Sequence, residues 1–452
     1  PQSLAYALLA GVPAEVGLYA SILPLIAYSL FGSSRTLSVG PVAVVSLMTM
    51  VSLSNIVTQG TADYLSAAIA LAFLSGLFLL IMGLFKLGFV ANFLSHTVVS
   101  GFITASGIII ALSQVRHLLG ISGAGDTLPT IALSLLNSSD SIHTYTAVLG
   151  VAVLAFLVWA RTAVVPICKR MGVTDSNAQL MAKLAPVLAV ITTLLLAWMV
   201  DLERAGVAVV GSIPSGLPRL AWPQLSFALF QQLWLPALSI AIIGYVESVS
   251  VGKTLAAKRR ENIDPNQELI ALGSANIASA FSAGFPVTGG ISRTVVNFDS
   301  GAKTQAASIF AAVGIAVAAM FLTPALYFLP KVTLAATIIV AVLTVVDFSI
   351  LGKTLRFSAN DFRAVAITLV GTLLFGVEVG VLCGVMLSIL LYLYRTSVPH
   401  VAEVGLVEGT QHFRNIQRYQ VTTEPSVLNL RVDESLFFAN ASVLENLIYQ
   451  KV

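Results

Sequence analysis

Charge is what this sequence has least of. Only 10% of its 452 residues are Asp, Glu, Lys or Arg, against roughly a quarter in soluble domains, so too little polar side chain exists to cover a water-facing surface. Cysteine is nearly absent. Cys168 and Cys383 stand alone, which argues against a disulfide framework or a cysteine metal site. The five histidines (His96, His117, His143, His400 and His412) show no ligand spacing, and no His-Glu-x-x-His occurs; neither a metal nor a bound cofactor is expected. A net charge of +3 is too small to suit nucleic acid. With no nucleophile–base constellation either, an enzyme is not expected. Val251-Gly-Lys-Thr254 resembles the end of a phosphate-binding loop, but that motif needs a glycine where Glu247 stands.

What fills the chain instead is apolar side chain: 57% of residues, with a mean hydropathy of +0.91. Apolar stretches near 20 residues recur, as at 64–84, 144–159, 306–323 and 377–394, each able as a helix to cross a hydrocarbon core of about 30 Å. The pattern predicts an all-α polytopic membrane protein seated in a lipid bilayer. Fourteen membrane elements are expected near 1–11, 14–31, 41–56, 64–84, 93–114, 144–161, 183–200, 232–253, 268–283, 290–299, 306–323, 332–348, 362–376 and 377–395. From about residue 412 the composition changes. Residues 427–432 alternate like a strand, 437–440 form a tight corner and 442 onward is helical. A membrane domain over 1–400 is therefore expected, followed over 401–452 by a linker and the beginning of a soluble α/β domain. The chain opens at Pro1 inside an apolar stretch and stops inside the tail, which predicts truncation at both ends.

Basic residues orient the map. With the N-terminus and tail in the cytoplasm, fifteen Lys and Arg fall in inner segments, among them Arg35, Lys86, Arg161, Lys258, Arg259 and Arg260. Four fall outside: Arg116, Arg204, Arg219 and Lys331. This is the positive-inside asymmetry of a cytoplasmic-membrane protein.

Two elements are too short and too broken for ordinary spans. Residues 33–41 (Ser-Ser-Arg-Thr-Leu-Ser-Val-Gly-Pro) precede the apolar run 42–51, and 284–293 (Gly-Phe-Pro-Val-Thr-Gly-Gly-Ile-Ser-Arg) precede 294–298. Each reads as extended backbone leading into a helix that starts inside the membrane, with Pro41 suited to a first helical position. Such backbone is tolerable there only where it lines a cavity or is buried in protein. Helix N-termini attract anions, and two facing each other form the site of discontinuous-helix transporters. Gln2 and Val42 lie 40 residues apart, and Glu247 and Ser292 lie 45 apart, the correspondence that a seven-plus-seven inverted repeat would produce. Glu247 is an acidic residue within a span, where a carboxylate is costly and usually functional; it either pairs with Arg293 or takes up a proton or cation. Arg293 either grips an oxyanion bidentately or supplies fixed positive potential. Gly376, Gly380, Gly384 and Ser388 recur every four residues along the last span and favour close helix packing within the bundle.

These residues resemble the sulfate permease (SulP) family. The resemblance is carried by Pro1-Gln-Ser-Leu-Ala-Tyr-Ala-Leu-Leu-Ala-Gly-Val-Pro, Phe31-Gly-Ser-Ser-Arg-Thr-Leu-Ser-Val-Gly-Pro-Val-Ala, Gln267-Glu-Leu-Ile-Ala-Leu-Gly, Ser292-Arg-Thr and Gly301-Ala-Lys-Thr-Gln. Leu430-Arg-Val-Asp-Glu-Ser-Leu-Phe-Phe-Ala-Asn-Ala looks like the opening of a STAS domain, here incomplete. The resemblance implies fourteen elements in a seven-plus-seven inverted repeat, a core domain moving against a gate domain as an elevator, and a homodimer. It implies an anion pocket lined by Gln2, Tyr6, Val42, Ala43 and Ser292, with Arg293 beside them, and gives Glu247 the coupling role. Proton-coupled sulfate symport is the leading expectation. Sodium-coupled bicarbonate or dicarboxylate uptake, or anion exchange, is the alternative on the same fold.

Overall fold

The computed structural model describes residues 2–54, 56–90, 96–123, 125, 127–438 and 440–452. Two compact units divide them, 1–384 and 385–452.

The first unit is helical. In chain order its helices are α1 (Gln2–Leu9), α2 (Ala14–Tyr19), α3 (Leu23–Phe31), α4 (Ala43–Ser54), α5 (Ala62–Leu84), α6 (His96–Leu119), α7 (Leu128–Asn137), α8 (Thr144–Arg170), α9 (Asp175–Val200) and α10 (Phe227–Lys258). They continue with α11 (Pro265–Phe281), α12 (Ile291–Asp299), α13 (Ala306–Phe321), α14 (Lys331–Leu343), α15 (Ser349–Phe357), α16 (Ala359–Phe375) and α17 (Val377–Ser397), the last running on into the second unit. Each of the fourteen expected elements meets helix, though residues 93–95 of the fifth lie outside the described residues. Among the described residues, six stretches are long and apolar enough by length and composition to cross a membrane: Ala14–Phe31, Ala62–Leu84, Thr97–Leu119, Thr144–Arg170, Asn177–Val200 and Phe227–Lys258. Apolar side chains point outward along them, including Val148 and Val151 of α8 and Ile191 and Leu195 of α9. In water such faces would be a liability; in a bilayer they meet lipid. This is a multi-pass membrane protein.

The element expected at 14–31 is broken in two. Pro24 sits in the first turn of α3, where its missing N–H costs nothing, and Ser21 donates to Gly17 O (2.8 Å) to close α2 instead of continuing it. Among the described residues two helices, α7 and α15, are outside the expected fourteen. A Thr127–Thr130 capping box starts α7. On α15, Ile350 and Thr354 are buried one turn apart while Phe348, Leu355 and Phe357 beside it are exposed, an amphipathic pattern too short to read as a span.

The helices sort into two packed groups. In one, α11 packs on α5 and α3, α10 on α5, and α13 on α3. In the other, α14 and α16 pack on α6, and α8 packs on α9 and α14, around a cluster of Leu118, Val153, Leu157, Val332, Ala336 and Ile339. The groups meet where α1 touches α14 and where α4 and α10 touch α6.

Small residues bring α16 and α17 together. A Cβ on Gly380 would run into the backbone of Thr372, and one on Gly384 into the Thr368 hydroxyl. Gly380→Ala must therefore push two helices apart, since backbone cannot rotate away as a side chain can. We expect it to cost about 1–3 kcal/mol, read as a lowered thermal unfolding midpoint in detergent. Gly314→Ala, which has open space around it, is the control expected to show no loss.

In the second unit, β3 (Val401–Leu406) pairs antiparallel with both β4 (Phe413–Asn415) and β5 (Leu430–Val432), ahead of α18 (Ala441–Lys451). The expected strand and terminal helix are present, but the sheet begins at 401, before the compositional change at 412. Asn440 closes the corner by accepting from Phe437 N (2.8 Å) and donating to Ser435 O (3.0 Å); Ala439 lies outside the described residues. Arg431 and His400 both bond Asp433 at 2.8 Å and hold its carboxyl below the usual range.

Candidate functional site

The two broken elements meet. Val39–Gly40 (β1) pairs antiparallel with Thr288–Gly289 (β2), Val39 opposite Gly289 and Gly40 opposite Thr288, and all four residues are buried. Extended backbone at such depth needs partners for its polar groups, and each segment serves the other. Gly290 N donates to Ser38 O at 3.1 Å, and Ser38 N donates to Thr294 Oγ1 at 3.1 Å.

Helices leave this pair on both sides. On one, α4 opens at Ala43 with Ser46 N donating to Val42 O (2.9 Å); on the other, α12 opens at Ile291 with Thr294 N donating to Gly290 O (3.1 Å). The helix start falls two residues beyond Pro41, not at it as expected. Pro41 O is engaged elsewhere: it accepts from the Arg293 guanidinium. A guanidinium has five N–H groups, and this bond uses one. Arg293 thereby ties the first turn of α12 to the peptide entering α4.

Supporting hydrogen bonds fix β2 against its neighbours. Thr288 Oγ1 donates to Gly244 O (2.6 Å), and Gly289 N donates to Ser248 Oγ (2.8 Å), fastening the strand to α10 one residue from Glu247. Asn276 on α11 pairs with the Val287 backbone, accepting from its N–H and donating to its C=O, both at 2.9 Å. Ahead of β1, Glu268 plays the equivalent part. Its Oε2 accepts from Tyr28 Oη (2.8 Å), and its Oε1 from Ser33 N (2.9 Å), Ser33 Oγ (2.7 Å) and Ser34 N (3.0 Å). Sequence reasoning missed Ser248, Thr288, Asn276 and Glu268. The one available signal was Glu268 itself, a carboxylate at the head of an apolar helix.

Between the two helix starts lies a cavity enclosing about 660 Å³, its open mouth included. Of the residues singled out in the sequence, Tyr6, Val42, Ala43, Glu247, Ser292 and Arg293 all line it. Gln2 is one turn before Tyr6 on α1 and is not among the lining residues. The opposite wall comes from α6 (Ile103, Gly107, Ile110) and from Ala341 and Val342 of α14. Glu247 is 7% exposed, and its Oε2 has no hydrogen-bond partner. Among the described residues no ion pair joins it to Arg293, so the paired alternative is not the arrangement adopted. The cavity thus holds two helix N-termini, one guanidinium and one carboxylate with an oxygen to spare.

The geometry makes Gly40 sensitive. A Cβ there would meet the Arg293 guanidinium, the movable end of a long side chain, so the helices can stay while Arg293 is displaced from Pro41. Losing a hydrogen bond of a charged group is worth about 1.5–3 kcal/mol. Gly40→Ala should weaken oxyanion binding to the cavity tenfold or more, with a near-normal unfolding midpoint. Unchanged binding would show that Arg293 placement does not matter to it.

Fold and site together define a polytopic helical membrane protein built around two discontinuous helices joined by a short antiparallel crossing. The chain belongs to the sulfate permease family, which it matches over residues 1–368. It is 36% identical over 448 residues to sulfate transporter 4.1, chloroplastic, of Arabidopsis thaliana, covering 99% of this chain and 64% of that protein. It is 34% identical to a probable sulfate transporter of Mycobacterium tuberculosis, covering 98% of this chain and 76% of the relative. The fold is similar to that of the murine Solute Carrier 26 family member A9 anion transporter in the inward-facing state. There the TM-score is 0.86 and the identity 26%, over 100% of this chain and 75% of that one. The chain thus spans about two thirds to three quarters of these relatives' length.

Proposed function

We propose that this chain is the membrane domain of a secondary transporter that carries a small inorganic anion, sulfate first, together with a proton. The observation that carries the reading is the cavity at the β1–β2 crossing. Two helix N-termini and Arg293 offer positive potential and N–H donors to an oxyanion, while the unpartnered Oε2 of Glu247 offers a place for the proton. The names of the plant and mycobacterial relatives extend the reading to sulfate. Gln2 joins the pocket in this proposal only if α1 shifts when substrate binds.

The cavity lies between the two packed groups, with α4, α10 and α12 on one side and α6 and α14 on the other. Displacing one group against the other, as an elevator, would carry the anion from one face of the membrane to the other. The basic-residue count supports a plasma-membrane protein with its N-terminus and tail in the cytoplasm. The tail from 401 onward reads as the start of a STAS domain beside the membrane domain over 1–400, in a homodimer.

Uptake of labelled sulfate into proteoliposomes under an imposed pH or sodium gradient, with bicarbonate and dicarboxylate as competitors, tests the proposal. Sulfate accumulation driven by an inward proton gradient is expected. Accumulation of bicarbonate driven by sodium, with sulfate inert, would replace sulfate by the alternative substrate. No uptake of any anion would overturn the reading.

A further inference from the structure

A second cavity, of about 760 Å³ including its mouth, lies at the far end of the segment that leads into β1. Its wall is formed by residues 33–36, by Leu255 and Ala256 at the end of α10, and by the turn that follows, 259–263. Three arginines line it, Arg35, Arg259 and Arg260, against one carboxylate, Glu261. Three of the chain's 24 basic residues share this short wall, a local concentration beyond what the inner-side excess of Lys and Arg requires at any one place.

The three differ in what already holds them. Arg35 pairs with Glu261 at 3.2 Å, so one positive and one negative charge offset each other. Arg259 donates to Phe298 O (2.8 Å) and to Ala302 O, with its guanidinium 4.3 Å from the centre of the Phe298 ring. It is pinned in place and pre-organised. Arg260 is exposed, and among the described residues its side chain makes no hydrogen bond or ion pair, while its backbone N donates to Ala257 O (3.2 Å) and its backbone is left-handed, with φ of 56°. A non-glycine residue in that region carries strain. The net result is two arginines lining the cavity with no carboxylate partner among the described residues, Arg260 with its side chain unengaged and Arg259 anchored at Phe298 and Ala302. Guanidinium geometry matches phosphate oxygens bidentately, and basic pockets between helix ends suit lipid phosphate headgroups.

We propose that this cavity is a second oxyanion site, distinct from the transport cavity, which takes a phosphate group through Arg260 and Arg259. The group is either a phosphomonoester lipid headgroup or free phosphate. The site sits on Ser33–Thr36, the stretch that Glu268 holds and that continues into β1. Occupancy would therefore brace the approach to the transport cavity without entering it.

The full-length protein in phosphatidylcholine nanodiscs, with and without phosphatidic acid, tests this by unfolding midpoint and by lipid retained in native mass spectrometry. A parallel titration uses inorganic phosphate at saturating sulfate. A raised midpoint with phosphatidic acid assigns the lipid source, and a raised midpoint with phosphate assigns the free anion. In either case Arg260→Gln should weaken binding about tenfold, the loss of one charged hydrogen-bonding partner. Asn262→Glu, which adds a carboxylate at an exposed lining position, should abolish it, and it keeps the test alive if Arg260→Gln fails to fold. Sulfate KM should be unchanged in both variants. No shift from either probe, or equal binding by both variants, overturns the proposal.

Discussion

Proteoliposomes containing Glu247→Gln should fail to accumulate sulfate under a proton gradient while still exchanging it down a concentration gradient. A divalent anion entering a compartment held negative is opposed by about 2.3 kcal/mol per charge per 100 mV, so each proton carried with it removes half of that penalty. One pH unit is worth about 1.4 kcal/mol per proton, a tenfold accumulation at zero potential for a one-proton cycle. Wild type should approach that ratio, and Glu247→Gln should stay at unity. The amide keeps the shape of the protonated acid in a site where Oε2 has no protein partner, so the anion can still bind and cross. Undiminished accumulation in the variant would remove Glu247 as the coupling residue. Loss of exchange as well would make Glu247 part of the cavity wall's structure and nothing more. The measurement is labelled sulfate uptake with the membrane potential clamped.

Much of this architecture is legible in the chain, for physical reasons. Hydrophobic runs have to be near the bilayer's thickness, so α5, α8 and α10 announce themselves by length alone. The interruptions at 33–41 and 284–293 announce themselves by Pro and Gly in membrane-depth apolar surroundings, and the structure shows them meeting as β1 and β2. What was not legible depends on partners far away in sequence. Arg293 donates to Pro41, 252 residues distant, and no spacing rule could distinguish that from a pair with Glu247. The amphipathic α15 and the short α7 fall below the length at which hydropathy speaks. Ser248 and Thr288 are small polar residues in apolar surroundings, and only their hydrogen bonds to each other (2.7 Å), to Gly244 O and from Gly289 N show that they hold a strand.

Glu268 is the sharpest case, and it carries the second large effect. It is 1% exposed, and four donors from Tyr28, Ser33 and Ser34 converge on it with no cation among them. Glu268→Ala would leave the buried Tyr28 hydroxyl and Ser34 N–H without an acceptor, at about 1–3 kcal/mol each, and would free the half-buried Ser33 donors as well, a large share of the about 5–15 kcal/mol of an ordinary domain. Little monodisperse protein should survive detergent extraction. Glu268→Gln should survive better, because its amide can keep oxygen toward Ser33 and Ser34 and turn nitrogen toward the Tyr28 hydroxyl, which can accept as well as donate. Tyr28→Phe, which removes a single donor, should be milder than Glu268→Ala. Transport should follow the same order, since the segment that Glu268 holds runs directly into Val39–Gly40 and the helix start at Ala43. The ordering is checked by fluorescence size-exclusion yield and sulfate KM across the three variants. A Glu268→Ala protein that extracts cleanly and transports with normal KM would show that the approach to β1 is held by something other than this carboxylate.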